Sequence, residues 1–221
     1  MSRDKFNISS LKVEEHHHLS VRNTFIQQAE PGDGIALMYP GLRYSCDKPL
    51  LHYTTEVLLD QGFDVLQLWA DYDNPEFRGA SQAERTVQLI EDGKTLLKAG
   101  IKANSYTNLI LVGKSLGTLT MAFILSEKLE TPKLKTVWFT PLFNLPPVTN
   151  IFMELNEPAY VAGSKADPTF DDSTISQLQA KSNILLQVYE DADHSLEVPG
   201  NPLQSTRILT SLMAELIAFL S

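Results

Sequence analysis

The sequence has a single cysteine, Cys46, and so little from which to build a covalent or thiolate framework. No disulfide can close within the chain, and a zinc site made of several thiolates is excluded. Basic residues are also scarce: 18 Lys and Arg stand against 27 Asp and Glu, for a net charge of −9. A surface of that sign repels phosphate backbones, so nucleic acid is not an expected partner. No continuous apolar run approaches the roughly 20 residues needed to cross a bilayer, so no membrane association is expected. The opening residues, Met1 to Asn7, lead into no apolar stretch of the signal-peptide kind, and the expected location is cytoplasmic. Internal repeats and linker-like stretches are missing as well. With 221 residues, 43% hydrophobic and 20% charged, the chain is expected to fold as one globular domain over residues 1–221.

What is present is a series of short apolar runs, each bounded by turn-forming residues. They are Ile35–Tyr39, Val65–Trp69, Leu109–Val112, Val137–Phe139, Tyr160–Ala162 and Ile184–Val188. Runs this short and this continuously apolar fit strands covered on both faces. Helical spacing fills the intervals. In Ser81–Gly100, Ala83, Val87, Ile90 and Leu97 fall on one face, and Gly100 offers a stop. Leu116–Leu129 is apolar nearly all round, which suits a buried helix. Near the C-terminus Ile208, Leu212, Leu216 and Leu220 step by four, with Met213 and Ile217 widening the stripe. The alternation predicts an α/β fold, a mostly parallel central sheet with helices on both faces. Residues 1–30 are polar and less regular, and are expected to add one or two edge strands.

One segment carries chemistry. Asn108-Leu-Ile-Leu-Val-Gly113-Lys114-Ser115-Leu116-Gly117 runs from a strand directly into a helix. Gly113-x-Ser115-x-Gly117 has the spacing of a nucleophile elbow, where the serine sits on a sharp, strained turn and needs small neighbours two residues to either side. The competing reading is a plain strand-to-helix turn with a serine cap. A serine hydroxyl is a poor nucleophile until a base takes its proton; histidine suits that task, and a carboxylate on the far ring nitrogen fixes the tautomer. His194 follows the last strand, at the sheet edge where Ser115 must be. His52 and His16–His18 precede the elbow. For the carboxylate, Asp167, Asp171, Asp172, Glu190, Asp191 and Asp193 compete, the last three close to His194 in sequence.

On these residues the chain, from about residue 30 to 221, resembles the α/β-hydrolase family. The resemblance implies a single-domain α/β-hydrolase fold and a triad in the order nucleophile, acid, histidine, each of the last two on a loop after a later strand. Tyr160-Val-Ala-Gly163-Ser-Lys-Ala-Asp167-Pro168 looks like the strand-then-acid element, and Ile184 to His194 like the final strand with its histidine. The roles implied are Ser115 as nucleophile, Asp167 as acid and His194 as base. The oxyanion hole would draw on the amide of Leu116, the residue after the nucleophile, and on the loop Met38-Tyr39-Pro40-Gly41-Leu42, where Leu42 is the candidate. Pro40 stands where the family usually has histidine. Family members commonly insert a lid after the sixth strand; Phe143–Pro158 has room only for a short helix, which favours an open pocket and short acyl groups.

The expected function is therefore a serine esterase, cleaving a small-molecule carboxylic ester or thioester through an acyl-enzyme, with no cofactor or metal required. The competing class is a non-catalytic interaction protein that keeps the scaffold. Three further signals are weaker than they look. Gly113-Lys114-Ser115 imitates the end of a phosphate-binding loop, but the required first glycine is Asn108 and the intervening residues belong to a strand. His16–His18 offers two ligands on one strand face and is better taken as a solvated face. Cys46 is best taken as packing. Lys114 either attracts an anionic acyl group or lies under a loop. Asp71, Tyr72, Asp73 and Arg78 follow the second strong strand, near the expected pocket, without an assigned role.

Overall fold

A computed structural model describes residues 5–13, 21–30, 32–127 and 133–221. Among these, eight strands form one sheet: β1 (Phe6–Ser9), β2 (Asn23–Gln28), β3 (Gly34–Tyr39), β4 (Asp64–Leu68), β5 (Asn108–Lys114), β6 (Lys133–Phe139), β7 (Ala159–Ser164) and β8 (Ile184–Tyr189). The order across the sheet is β1-β2-β4-β3-β5-β6-β7-β8. β1 and β2 pair antiparallel with each other and β2 antiparallel with β4, while every pairing from β4 to β8 is parallel. The six expected apolar runs are the six parallel strands, and the polar N-terminal stretch supplies the antiparallel edge.

Seven helices connect them among the described residues: α1 (Pro49–Asp60), α2 (Pro75–Gly79), α3 (Gln82–Ala103), α4 (Leu116–Ser126), α5 (Pro146–Glu154), α6 (Asp172–Gln179) and α7 (Pro202–Leu220). Alternation along the strands splits the core in two. Ile35, Leu37, Leu109 and Leu111 face α3 to α6, while Ala36, Met38, Ile110 and Val112 face α1 and α7. Ser81 opens α3 with a capping box to Glu84, and Asp171 and Asn201 cap α6 and α7 through their side chains. By length and composition α7 would also pass for a membrane-spanning helix. Here its stripe Ile208, Leu212, Leu216 and Leu220 is buried on the sheet face shared with α1.

Two expectations about α3 need correction. Ala83 and Val87 are exposed, and the buried face is Leu89, Gly93, Leu96, Leu97 and Gly100. Gly100 does not end the helix. It packs onto the sheet so closely that an added Cβ would lie 3.2 Å from both Ile35 Cδ1 and Leu66 Cδ2. The His16–His18 reading and the Leu129 end of the fourth helix lie outside the described residues.

α5 occupies the stretch where a lid would be inserted. Val148 and Phe152 are fully buried, and the Phe152 ring lies 4.6 Å from that of Trp138. The segment is thus docked against the body of the protein, and among the described residues no inserted domain stands over the sheet edge beside Ser115.

Candidate active site

Ser115 joins β5 to α4 with φ 52° and ψ −115°, a left-handed conformation that costs a non-glycine residue energy. Its surroundings explain why the turn holds. The Ser115 amide donates to the Phe139 carbonyl at 3.0 Å on the neighbouring strand, and the Thr118 hydroxyl and amide both donate to the Ser115 carbonyl, at 2.6 and 2.8 Å. The flanking glycines are sterically required. A Cβ on Gly117 would sit 1.9 Å from the Tyr39 carbonyl oxygen, and one on Gly113 would sit 2.5 Å from Met121 Sδ. Since β5 continues as a regular strand to Lys114, there is no loop of amides here to wrap a phosphate, and the phosphate-loop imitation ends there.

The three residues expected to act together meet at the C-terminal edge of the sheet. His194 Nε2 lies 2.7 Å from Ser115 Oγ, and His194 Nδ1 lies 2.7 Å from Asp167 Oδ2. Asp167 follows β7 and is buried; His194 follows β8 with its side chain 32% exposed. Burial pushes the Asp167 carboxyl up, but hydrogen bonds from His194 and from the Thr169 amide and hydroxyl outweigh it, and the net is below the usual carboxylate value. An ionised carboxylate can only accept, so His194 Nδ1 carries the proton and Nε2 is left to accept from the Ser115 hydroxyl.

The competing carboxylates are occupied elsewhere. Asp171 accepts from the Thr174 amide as the cap of α6, and Glu190 pairs with Lys165 at 2.8 Å on the surface. Asp193 ties the His194 loop together, its Oδ1 accepting the amides of Ser195 at 2.7 Å and Glu197 at 3.2 Å. Asp172 lies in the first turn of α6, and Asp191 is exposed.

Thr169 is a part of the site that the sequence reading missed. Its amide and hydroxyl donate to Asp167 Oδ1 at 2.8 and 2.9 Å, leaving Oδ2 for His194. The signal was available: an aspartate followed two residues later by threonine is the local pattern of an Asx turn.

The loop after β3 approaches from the other side. Gly41 and Tyr44 bond each other's backbones at 3.1 and 3.2 Å, closing a tight turn with Leu42 and Arg43 at its tip and Arg43 at φ 58°. A Cβ on Gly41 would lie 3.2 Å from the Ser115 Cβ, so the turn sits against the serine. The amide of Leu42 is at that turn, and the amide of Leu116 is the first of α4, where the helix leaves N–H groups without an intrahelical partner. Neither amide has a protein acceptor among the described residues.

Arg43 Nε bonds Asp73 Oδ2 at 2.7 Å, and Arg78 holds the other Asp73 oxygen, so the loop after β4 is linked to this turn. Asp71, Tyr72 and Asp73 line a surface cleft of about 300 Å³ with Gly41, Tyr44 and Trp69. Cys46 is buried, and burial pushes its thiol up to about 12, which removes the reactive thiolate at neutral pH. Among the described residues no three His, Cys, Asp or Glu side chains are grouped so as to hold a metal ion.

No family model matches the chain, and no curated protein matches it in sequence. Solved structures do resemble it. Dienelactone hydrolase from Anabaena variabilis ATCC 29413 is 16% identical with a TM-score of 0.69, covering 97% of this chain and 97% of that one. An esterase from Pyrococcus furiosus is 15% identical at a TM-score of 0.66, over 97% and 91%. A dienelactone hydrolase-like promiscuous phosphotriesterase from metagenomic libraries is 15% identical at 0.67, over 98% and 99%. At such identities the likeness is one of fold: the chain has the α/β-hydrolase fold.

Proposed function

We propose that the protein is a serine hydrolase that cleaves a carboxylic ester or thioester through an acyl-enzyme. The observation that carries this reading is the continuous relay from Ser115 Oγ to His194 Nε2 and from Nδ1 to Asp167, 2.7 Å at each step, at a serine held in a left-handed turn. The α/β-hydrolase fold and the hydrolase and esterase activities named for its structural neighbours support it.

In this mechanism Ser115 Oγ attacks the carbonyl carbon while its proton passes to His194 Nε2. Asp167, already ionised, stabilises the imidazolium that results. The oxyanion of the tetrahedral adduct is taken by the amides of Leu116 and Leu42. Collapse breaks the bond to the alcohol or thiol, which leaves with the proton from His194. Water then gives a proton to the same nitrogen as it attacks the acyl-enzyme, and release of the acid returns that proton to Ser115. The uncovered sheet edge fits a short acyl group or an ester exposed on a larger molecule.

The test is intact-mass analysis after exposure to a fluorophosphonate, beside Ser115→Ala and His194→Ala. One adduct on the wild type is expected, with none on either variant over the same interval, a loss on the order of 10²-fold or more in rate. A folded wild type that takes no adduct would overturn the reading in favour of a non-catalytic scaffold.

A further inference from the structure

Lys114, the residue before the nucleophile, is a cation in an unexpected place. It is 2% exposed. By strand alternation it belongs to the face of Ile110 and Val112, under α1 and α7. Its Nζ donates to the backbone carbonyl of His194 at 2.9 Å and lies 4.9 Å from the centre of the Tyr44 ring. The stem is close to the other loop of the site as well, since a Cβ on Gly41 would lie 3.1 Å from Lys114 Cδ. One side chain therefore touches both the loop that carries His194 and the turn that carries Leu42.

A buried ammonium is costly unless its donors are used, and a hydrophobic residue of similar length would fill the same space without that cost. Packing alone does not account for a charge here. The His194 loop is tied internally through Asp193, but those bonds fix its shape and leave its position against β5 open. The bond from Lys114 to the His194 carbonyl crosses from β5 to that loop, one residue from the serine. This inference rests on the hydrolase reading above. We propose that Lys114 is a positioning residue, whose ammonium anchors the His194 backbone so that the imidazole stays between Ser115 and Asp167 and beside the Gly41–Tyr44 turn.

Charge makes the strut sensitive to pH. Burial pulls the Lys114 ammonium down to about 8, against the upward pull of Asp167 and Asp193. The Tyr44 phenol beside it is pushed up to about 12, by burial first and then by the negative charges of Glu197 and Asp193. Loss of the Lys114 proton above pH 8 weakens a charge-assisted bond into a neutral one.

The experiment compares wild type with Lys114→Met, which keeps the length of the stem and removes the ammonium. Rates of fluorophosphonate labelling and of p-nitrophenyl acetate hydrolysis are measured from pH 6 to pH 10, with Tm recorded for each protein. The proposal expects Lys114→Met to be folded, with kcat lower by about tenfold and KM within about twofold, because a displaced base costs the chemical step and leaves substrate contacts alone. It also expects the wild-type rate to decline above pH 8 and the variant to lack that decline. A variant with wild-type kcat, a rise in KM alone, or the same alkaline limb in both proteins would each overturn it. If Lys114→Met does not fold, the wild-type profile decides: decline above pH 8 supports the strut, and a flat rate to pH 10 overturns it. A wild type that never labels overturns the hydrolase reading and this one together, whereas labelling of both proteins at equal rates removes only the role of Lys114.

Discussion

At Asp167 two oxygens have separate duties. Oδ2 faces His194 and Oδ1 is held by Thr169. Removing the Thr169 hydroxyl leaves its amide bond in place, so Thr169→Val should loosen the carboxylate rather than release it. The expected outcome is a fall in kcat of about three- to tenfold with Tm lower by a few degrees, consistent with the loss of one hydrogen bond to a charged group, roughly 1.5–3 kcal/mol. Steady-state kinetics beside a thermal melt checks this; a variant with unchanged kcat would mean that His194 and the Thr169 amide position Asp167 without the hydroxyl. Ser115 shows the opposite case, where strain is maintained by neighbours that have no chemistry of their own. Tyr39, Phe139 and Thr118 hold the turn, and their contribution is geometric.

Among the elements, α3 shows packing prevailing over intrinsic preference. Glycine in a helix interior costs about 1 kcal/mol relative to alanine, yet Gly93 lies where α4 crosses. A Cβ there would be 2.4 Å from Thr120 Cγ2 and 3.0 Å from Ile124 Cδ1, and the Tyr39 hydroxyl donates to the Gly93 carbonyl at 3.3 Å. Overpacking of a tight core costs typically 1–3 kcal/mol. Gly93→Ala is therefore expected to destabilise by about 1–2 kcal/mol despite the gain in helix propensity, as read by urea unfolding. Since α4 begins directly after Ser115, its displacement should also slow fluorophosphonate labelling. Stabilisation by the substitution would show that the two helices can separate freely.

Over the whole molecule, pH acts on stability through two buried groups in opposite ways. The Asp167 carboxyl is held below its ordinary value, so its contribution is complete above about pH 4 and is lost as pH falls through the folded value. Lys114 is lowered from 10.5 to about 8, so between those values the unfolded chain binds the extra proton. Its ammonium costs stability below pH 8, roughly 3 kcal/mol, and that cost is relieved as pH rises toward 10.5. The expected outcome in denaturant titrations is that Lys114→Met is more stable than wild type at pH 7, with the difference shrinking by pH 10. A difference independent of pH would mean that the Lys114 ammonium titrates alike in the folded and unfolded chains, so that burial does not pull it down. Greater stability with lower activity in one variant is the pattern of a site maintained at the expense of the fold.

Much of this architecture is legible along the chain because its causes are local. Short apolar runs between turns marked the six parallel strands, and the glycines two residues either side of Ser115 marked a tight turn by their spacing, although the atom that Gly117 must avoid, the Tyr39 carbonyl oxygen, lies on another strand. The stripe Ile208–Leu212–Leu216–Leu220 was equally plain, since a helix lying flat on a sheet buries residues at a regular step. The buried face of α3 was not, because its closest contacts are made by Gly93 and Gly100, which carry no hydropathic signal, and because its first turns bury no side chain. Sequence also left several carboxylates open as partners for His194. Only the folded chain separated them, by placing Asp171 on a helix end, Asp193 inside the His194 loop and Asp167 under the imidazole. The position of Lys114 was decided in the same way: residues 80 apart in sequence come within 2.9 Å because the sheet carries both to one edge. Local sterics can be inferred from neighbours in the sequence, whereas the partner of a buried charge depends on which loops the sheet order makes adjacent.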